Sequence, residues 1–161
     1  MVTGSISATD FLNAQKLHRA KVVRWCYVSS SIVLAVGVVL HLVNDRSSLG
    51  FILACAGVGG IVGELVMSHA YLPRKIRRIH RQQKDLAAPF TYQWDEHVLE
   101  AQGVSGQSKR PWENYAKFKE DENLFLLYHC DNLFEMFPKH WFRDQAQLNE
   151  FRGLAKRVNE T

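Results

Sequence analysis

The chain predicts a membrane α+β protein: a two-helix transmembrane hairpin followed by a small antiparallel sheet capped by one C-terminal helix. Three observations carry that prediction. Two apolar blocks lie close together between Trp25 and Leu72. Cations crowd the outer sides of the pair, whereas its short linker holds Arg46 alone, offset by Asp45. Beyond Pro89, short aromatic and aliphatic runs alternate with Gly, Pro and Asp/Asn turn signals.

Average composition hides this segregation, because 47% apolar and 22% charged residues over 161 positions resemble a soluble protein. The same figures exclude disorder and collagen-like repeats, and three cysteines are too few for a disulfide scaffold. Residues 25–43 read WCYVSSSIVLAVGVVLHLV without an Asp, Glu, Lys or Arg. As a helix they reach about 28 Å, close to the ~30 Å hydrocarbon thickness. A polar linker, residues 44–48, leads into residues 49–72, where Glu64 is the sole acid or base of that set. That second helix is about 36 Å long, enough to span with some tilt. Pro73 marks its expected exit. A cleaved signal peptide is disfavoured, because the apolar block is too long and a second one follows at once. A buried soluble hairpin is the other alternative, since Gly57, Gly59, Gly60 and Gly63 also suit buried soluble helices. Two spanning helices account for more of the pattern.

Orientation follows from the flanks. Lys16, Arg19, Lys21 and Arg24 precede the first span, and Arg74, Lys75, Arg77, Arg78 and Arg81 follow the second, whereas the linker offers Arg46 beside Asp45. The positive-inside rule puts both termini in the cytoplasm, and Trp25, Tyr27 and Tyr71 fit an aromatic belt at that face. The net charge of +4 is thus a juxtamembrane collar formed by Arg19, Lys21, Arg24, Arg74, Lys75, Arg77, Arg78 and Arg81. Its natural counter-charge is anionic lipid headgroups, at about 1 kcal/mol per nearby cation. No basic face with interleaved aromatics lies outside the collar, so nucleic acid is not an expected partner.

Within the membrane, an ionised Glu64 costs several kcal/mol, so the residue is expected protonated or paired. Folding the hairpin about Arg46 sets Glu64 level with about residue 28, near Ser29, Ser30 and Ser31. A hydrogen bond to one of these serines across the two helices is the structural reading; a proton or ligand site is the sharper one. Gly59 and Gly63 form a small-xxx-small face, able to pack on the first helix or on a second copy. His41 and His69 sit near the two ends, within reach of interfacial water.

Four segments are expected: a cytoplasmic amphipathic basic segment (1–24), the hairpin (25–72), a basic helical extension (73–88) and a cytoplasmic C-terminal domain (89–161). In the first, Thr9 or Asp10 is the expected N-cap, with Phe11, Ala14, Leu17 and Val22 roughly on one face. In the last, strands are expected over 90–94, 98–102, 107–110, 115–119, 124–130 and 133–137. Gly103 with Gly106, residues 120–123, and Asp131-Asn132 supply the turns. A helix over about 143–158 carries Leu148, Phe151, Leu154, Ala155 and Val158 at helical spacing.

This order of features resembles the YcxB-like family of bacterial membrane proteins along nearly the whole chain. The resemblance rests on Thr9-Asp10-Phe11-Leu12 with His18-Arg19 before the first span, and on the close hairpin. It rests further on Pro111-Trp112 leading to Tyr115, on residues 124–128, and on Pro138-Lys139-His140-Trp141-Phe142. Where the family shows Pro-Lys-Arg and then Phe, this chain has His140 and Trp141 before Phe142. The resemblance implies a bacterial inner-membrane location and an outline similar to PH-like membrane proteins, with no activity to carry over. Among the motif residues, Trp112 is expected as a core lid or an anchor against the last helix, and Pro138 as the end of the final strand. Lys139 is expected against phosphate headgroups or neighbouring carbonyls.

No catalytic constellation is expected. His129, Cys130 and Asp131 come nearest, but adjacent strand residues point to opposite faces. Cys26, Cys55 and Cys130 lack metal-ligand spacing, and no phosphate-cradling glycine loop is present, so neither metal nor cofactor is expected. The expected function is a non-enzymatic inner-membrane protein that holds a small binding domain at the leaflet surface, for a protein partner or lipid headgroups. The alternative is an immunity or regulatory subunit that binds a toxin or another membrane protein through its hairpin. An oligomeric pore or transporter component, with Glu64 lining the axis, is the third.

Overall fold

The structure, a computed structural model, describes residues 1–44, 48–82, 88–103 and 106–158. The chain divides into two compact units: Met1–Leu17 together with Ile76–Thr161, and His18–Lys75. Of the first expected segment, which was to lie at the interface or pack on the C-terminal domain, Met1–Leu17 belong with the C-terminal unit. The reason is a short strand, β1 (Val2–Gly4), whose residues pair antiparallel with Phe90, Thr91 and Tyr92. The helical hairpin is an insertion between two adjacent strands of one sheet.

Helix α1 runs unbroken over Ala8–Val43, so the amphipathic start and the first expected span are one helix. No proline or glycine interrupts it before Gly37, and Ala, Leu, Gln and Lys favour continuation. Its N-cap is Ser7, not Thr9 or Asp10. The Ser7 hydroxyl accepts from the Asp10 N–H at 3.0 Å, and the Asp10 carboxylate accepts from the Ser7 N–H at 3.0 Å, a reciprocal capping box. Helix α2 (Ser48–Val66) is followed by a π-turn (Met67–Tyr71) and α3 (Leu72–Gln82). Pro73 therefore does not end the second helix. The wide π-turn precedes it, and Pro73 sits in the first turn of α3, where its missing N–H is tolerated. The expected linker about Arg46 and the end of the expected extension, residues 83–87, lie outside the described residues.

Two helical stretches, Ala8–Val43 and Ser48–Gln82, are long and apolar enough to cross a membrane, and only 6% and 11% of their most apolar windows are buried. The interhelical seam is made by glycines. A Cβ at Gly57 would lie 2.6 Å from the Leu34 amide nitrogen. Gly37 meets the backbone of Gly50, Leu53 and Ala54, Gly50 meets His41, and Gly60 meets the Ser30 side chain, all within contact distance.

In the other unit, β1, β2 (Phe90–Trp94), β3 (Val98–Gly103) and β4 (Gly106–Pro111) form one antiparallel sheet in that order. A second sheet, in the order given, comprises β5 (Lys117–Glu120), β6 (Leu124–Cys130) and β7 (Leu133–Pro138). Two sheets thus replace the single expected sheet. Pro111 has no N–H to continue the ladder, and the 3₁₀ turn Trp112–Asn114 redirects the chain before β5 begins. Tyr115 closes that turn with an N–H bond to the Trp112 carbonyl, which moves the start of β5 to Lys117. Gly106, with φ +145°, makes the turn after β3 in a conformation few side chains tolerate. Helix α4 (Gln145–Arg157) starts where Asp144 accepts from the Gln147 N–H at 2.8 Å.

Strand β6 is buried on both faces, which is why LFLLY is a continuous apolar run and not an alternating one. Leu124, Leu126 and Tyr128 pack with Ile6, Ala14, Phe11 and Leu17, under the first turns of α1. Phe125 and Leu127 face the larger core, shared with β2, β3 and α4. Phe151 of α4 is its hub, with the rings of Trp94, Trp112, Phe125, Phe137 and Phe142 at 4.9–5.7 Å between centroids. Gly4 lies flat on the Trp141 indole, so no larger residue fits there.

Candidate functional site

Within the hairpin, Glu64 is largely covered, with a side chain 11% exposed. Its Oε1 accepts from Ser68 Oγ at 2.7 Å and lies 3.8 Å from an Arg19 nitrogen. The expected bond to Ser29, Ser30 or Ser31 is not made. Ser29 Oγ donates to its own helix, to the Cys26 carbonyl at 3.1 Å, and Ser30 lies against Gly60. An arginine close enough to pair removes the need for a cross-helix hydroxyl, and Ser68, one turn on, is the nearer donor. Among the described residues Gly59 and Gly63 meet nothing within 4 Å, so the small-xxx-small face does not pack on the first helix. The packing glycines follow a different rhythm: Gly50, Gly57 and then Glu64 recur every seven residues. That spacing keeps one stripe toward a partner helix wound as in a coiled coil.

Of the collar cations, Lys21, Arg24, Arg74, Lys75, Arg77, Arg78 and Arg81 are exposed, and Arg19 is half-buried beside Glu64. On α3 the sorting is sharp: Leu72 and Ile76 are buried and the arginines face out. His80 joins the inner side, its Nε2 2.8 Å from the Ile6 carbonyl.

The motif residues serve the domain's interior. Trp112 is 5% exposed, stacks edge-on against Phe151, and donates its indole N–H to the Asp95 carbonyl at 2.9 Å. Pro138 is fully buried at the end of β7, opposite Leu124. Lys139 Nζ donates to Glu120 at 2.7 Å and to the Asp121 carbonyl, so its ammonium is engaged within the domain. Arg152 clamps the same carboxylate through Nε and a terminal nitrogen at 2.8–3.0 Å. Lys139 and Arg152 both lie over the Phe125 ring. Burial alone would raise the Glu120 carboxyl, but the two cations hold it below its ordinary value. Such a group stabilises the fold above its unfolded pKa and loses that contribution as pH falls through the folded one. We expect Glu120→Gln to cost about 1–3 kcal/mol at neutral pH and to cost nothing extra in strong acid, measured by thermal unfolding against pH.

Sequence reasoning missed one cluster. His129 is the extra residue of a β-bulge in β6, between the Tyr128 and Cys130 pairings. Its Nε2 lies 2.9 Å from Glu135 Oε1, and its Nδ1 lies 2.5 Å from an Arg110 nitrogen. Tyr115 donates its hydroxyl to Glu135 Oε2 at 3.3 Å and tilts over the His129 ring at 5.0 Å. Arginine has no acceptor, so Nδ1 must accept from Arg110, and Nε2 carries the proton given to Glu135. Burial pushes the Glu135 carboxyl above its usual range, against His129, Tyr115 and Arg110, which pull it down. The available signal was an acid inside the apolar run LFEMFP. His129 and Cys130 do point apart, one into this cluster and the other to solvent.

Comparison with curated proteins and with solved structures gives no match. Residues 94–155, from the end of β2 into α4, match the family model described as YcxB-like protein, a shorter stretch than the nearly whole chain over which the motif order resembles that family.

Proposed function

We propose that the chain is a non-enzymatic bacterial inner-membrane protein whose hairpin anchors a small PH-like binding domain at the cytoplasmic leaflet. The observation that carries this reading is the pairing of β1 with β2 across an inserted hairpin whose apolar windows are almost wholly unburied. Strands that pair must lie on one side of a bilayer, so two crossings satisfy the sheet and one does not. Valine, isoleucine and phenylalanine side chains facing outward along α1 and α2 suit hydrocarbon and would aggregate in water. Support for the PH-like outline is the order of four strands, then three, then a closing helix.

Arg77, Arg78 and Arg81 on the outer face of α3 suit anionic headgroups. The test is flotation of the full chain, reconstituted in vesicles with and without anionic lipid, with protease accessibility of residues 88–158 as readout. Shielding of the domain by anionic lipid, lost in Arg77→Gln/Arg78→Gln/Arg81→Gln, is the expected result. Equal accessibility in neutral vesicles points to a protein partner, which crosslinking in intact membranes identifies. The immunity or regulatory reading draws its support from the unoccupied side of Gly59 and Gly63, a surface on which another membrane helix fits.

A further inference from the structure

We propose that the side chains of Arg110, His129, Glu135 and Tyr115 form a proton-operated clasp, which fastens the end of β4 to the three-stranded sheet and lets go when the cluster takes up one proton. The placement is specific. Strand β4 is the edge of the four-stranded sheet, and Arg110, its next-to-last residue, pairs with Leu99 of β3. Its guanidinium reaches away from that sheet, to His129 of β6 and onward to Glu135 of β7. Just beyond it, Pro111 and the 3₁₀ turn carry the chain from one sheet to the other.

The cluster holds one positive charge, one negative charge and a neutral imidazole, joined in series. Every position for an added proton weakens the same link. On His129, the proton takes the Nδ1 lone pair that Arg110 needs and sets two cations side by side. On Glu135, it removes the counter-charge that holds the arginine. The other groups packed around it offer no substitute. Tyr92 from β2 and Tyr115 ahead of β5 are phenols that burial keeps protonated and neutral. Lys117 of β5 is drawn away to Asp131 at 2.7 Å and lies over Tyr128.

Release differs from acid unfolding, and the sign shows how. Glu135 has a higher pKa folded than unfolded, because burial opposes its charge. A group of that kind contributes stability at low pH and loses it as pH rises through the folded value. Proton uptake therefore favours the folded domain while it detaches Arg110. The β4 edge loosens and the core stays.

The test is backbone hydrogen exchange of residues 107–110 in the full chain in detergent micelles, corrected for intrinsic rates, followed from about pH 8 down to about pH 5. The expected result is roughly tenfold faster exchange in β4 at the acid end, with no change in the β2–β3 amides and no fall in melting temperature. Glu135→Gln should exchange fast at all pH values, and Arg110→Gln should do the same from the other end of the chain. Should Glu135→Gln fail to fold, Arg110→Gln decides alone. A flat wild-type profile, a variant that keeps the wild-type pH dependence, or loosening that tracks global melting overturns the clasp.

Discussion

A chain that begins at Ser7 loses its folded C-terminal domain, although the removed residues lie far outside residues 94–155, the stretch that matches the YcxB-like family model. Val2 and Ile6 are 3% and 6% exposed, one in each of the domain's two cores. Each contributes about 1.5–3 kcal/mol by burial, against a total of about 5–15 kcal/mol for a small domain. Their loss also strips β2 of its β1 partner and opens Tyr92 and Phe137 to water. Substitution separates this from a mere length effect. Val2→Asp places an unpaired carboxylate among aromatic rings and should cost 4 kcal/mol or more, enough on its own to unfold a marginal domain. Thr3→Ala, one residue on and facing solvent, should change stability by about 0.5 kcal/mol at most. Limited proteolysis of residues 88–158, with fluorescence of Trp94, Trp112 and Trp141, reads the outcome. Cooperative unfolding of an isolated fragment that starts at Phe90 would show that β1 is dispensable.

The dependence on β1 was invisible in sequence for a physical reason. VTG is a strand of three residues with no alternation long enough to read, and its partner lies beyond two membrane-length helices. Patterns with local periodicity were legible. Strands β2 and β6 have the bounds that their aromatic and aliphatic runs predict, and α4 follows its apolar stripe. The division into two sheets was not legible, because it depends on where the turn at Trp112 sends the chain, and a turn's direction is set by packing. At the candidate sites the same division holds. The inward role of Trp112 follows from a large indole beside a proline that ends a strand. The engagement of Lys139 by Glu120, and of His129 by Glu135, joins residues on different elements, and only the folded register brings these together. Glu64 shows the limit most clearly: hairpin folding sets it level with about residue 28, yet its partners, Ser68 and Arg19, depend on the direction its side chain takes.

Gly57→Leu drives the two helices of the hairpin apart, whereas Gly59→Leu leaves them together. The two positions are two residues apart in one apolar helix and have equal propensity, so the contrast isolates packing. At Gly57 a Cβ would sit 2.6–2.7 Å from the backbone and Cβ of Leu34, and backbone cannot step aside as a side-chain tip can. The helices must separate or shift register, at a cost of about 1–3 kcal/mol or more for the overpacked site. At Gly59 nothing among the described residues lies within 4 Å, and a leucine there extends into open space. Disulfide formation between Ser30→Cys and Gly60→Cys, with the native cysteines replaced by serine, measures the approach directly. The Ser30 Cβ lies 3.1 Å from an ideal Cβ at Gly60, within a few tenths of an ångström of the ~3.5–4.5 Å a disulfide spans. Crosslinking should be lost on adding Gly57→Leu and retained on adding Gly59→Leu. The reverse pattern means that the second helix presents its other face to the first, with the small-residue stripe as the seam. If Gly59→Leu keeps the crosslink but abolishes a biological activity, the outward stripe is where another helix docks. In that event the hairpin is a recognition element as well as an anchor.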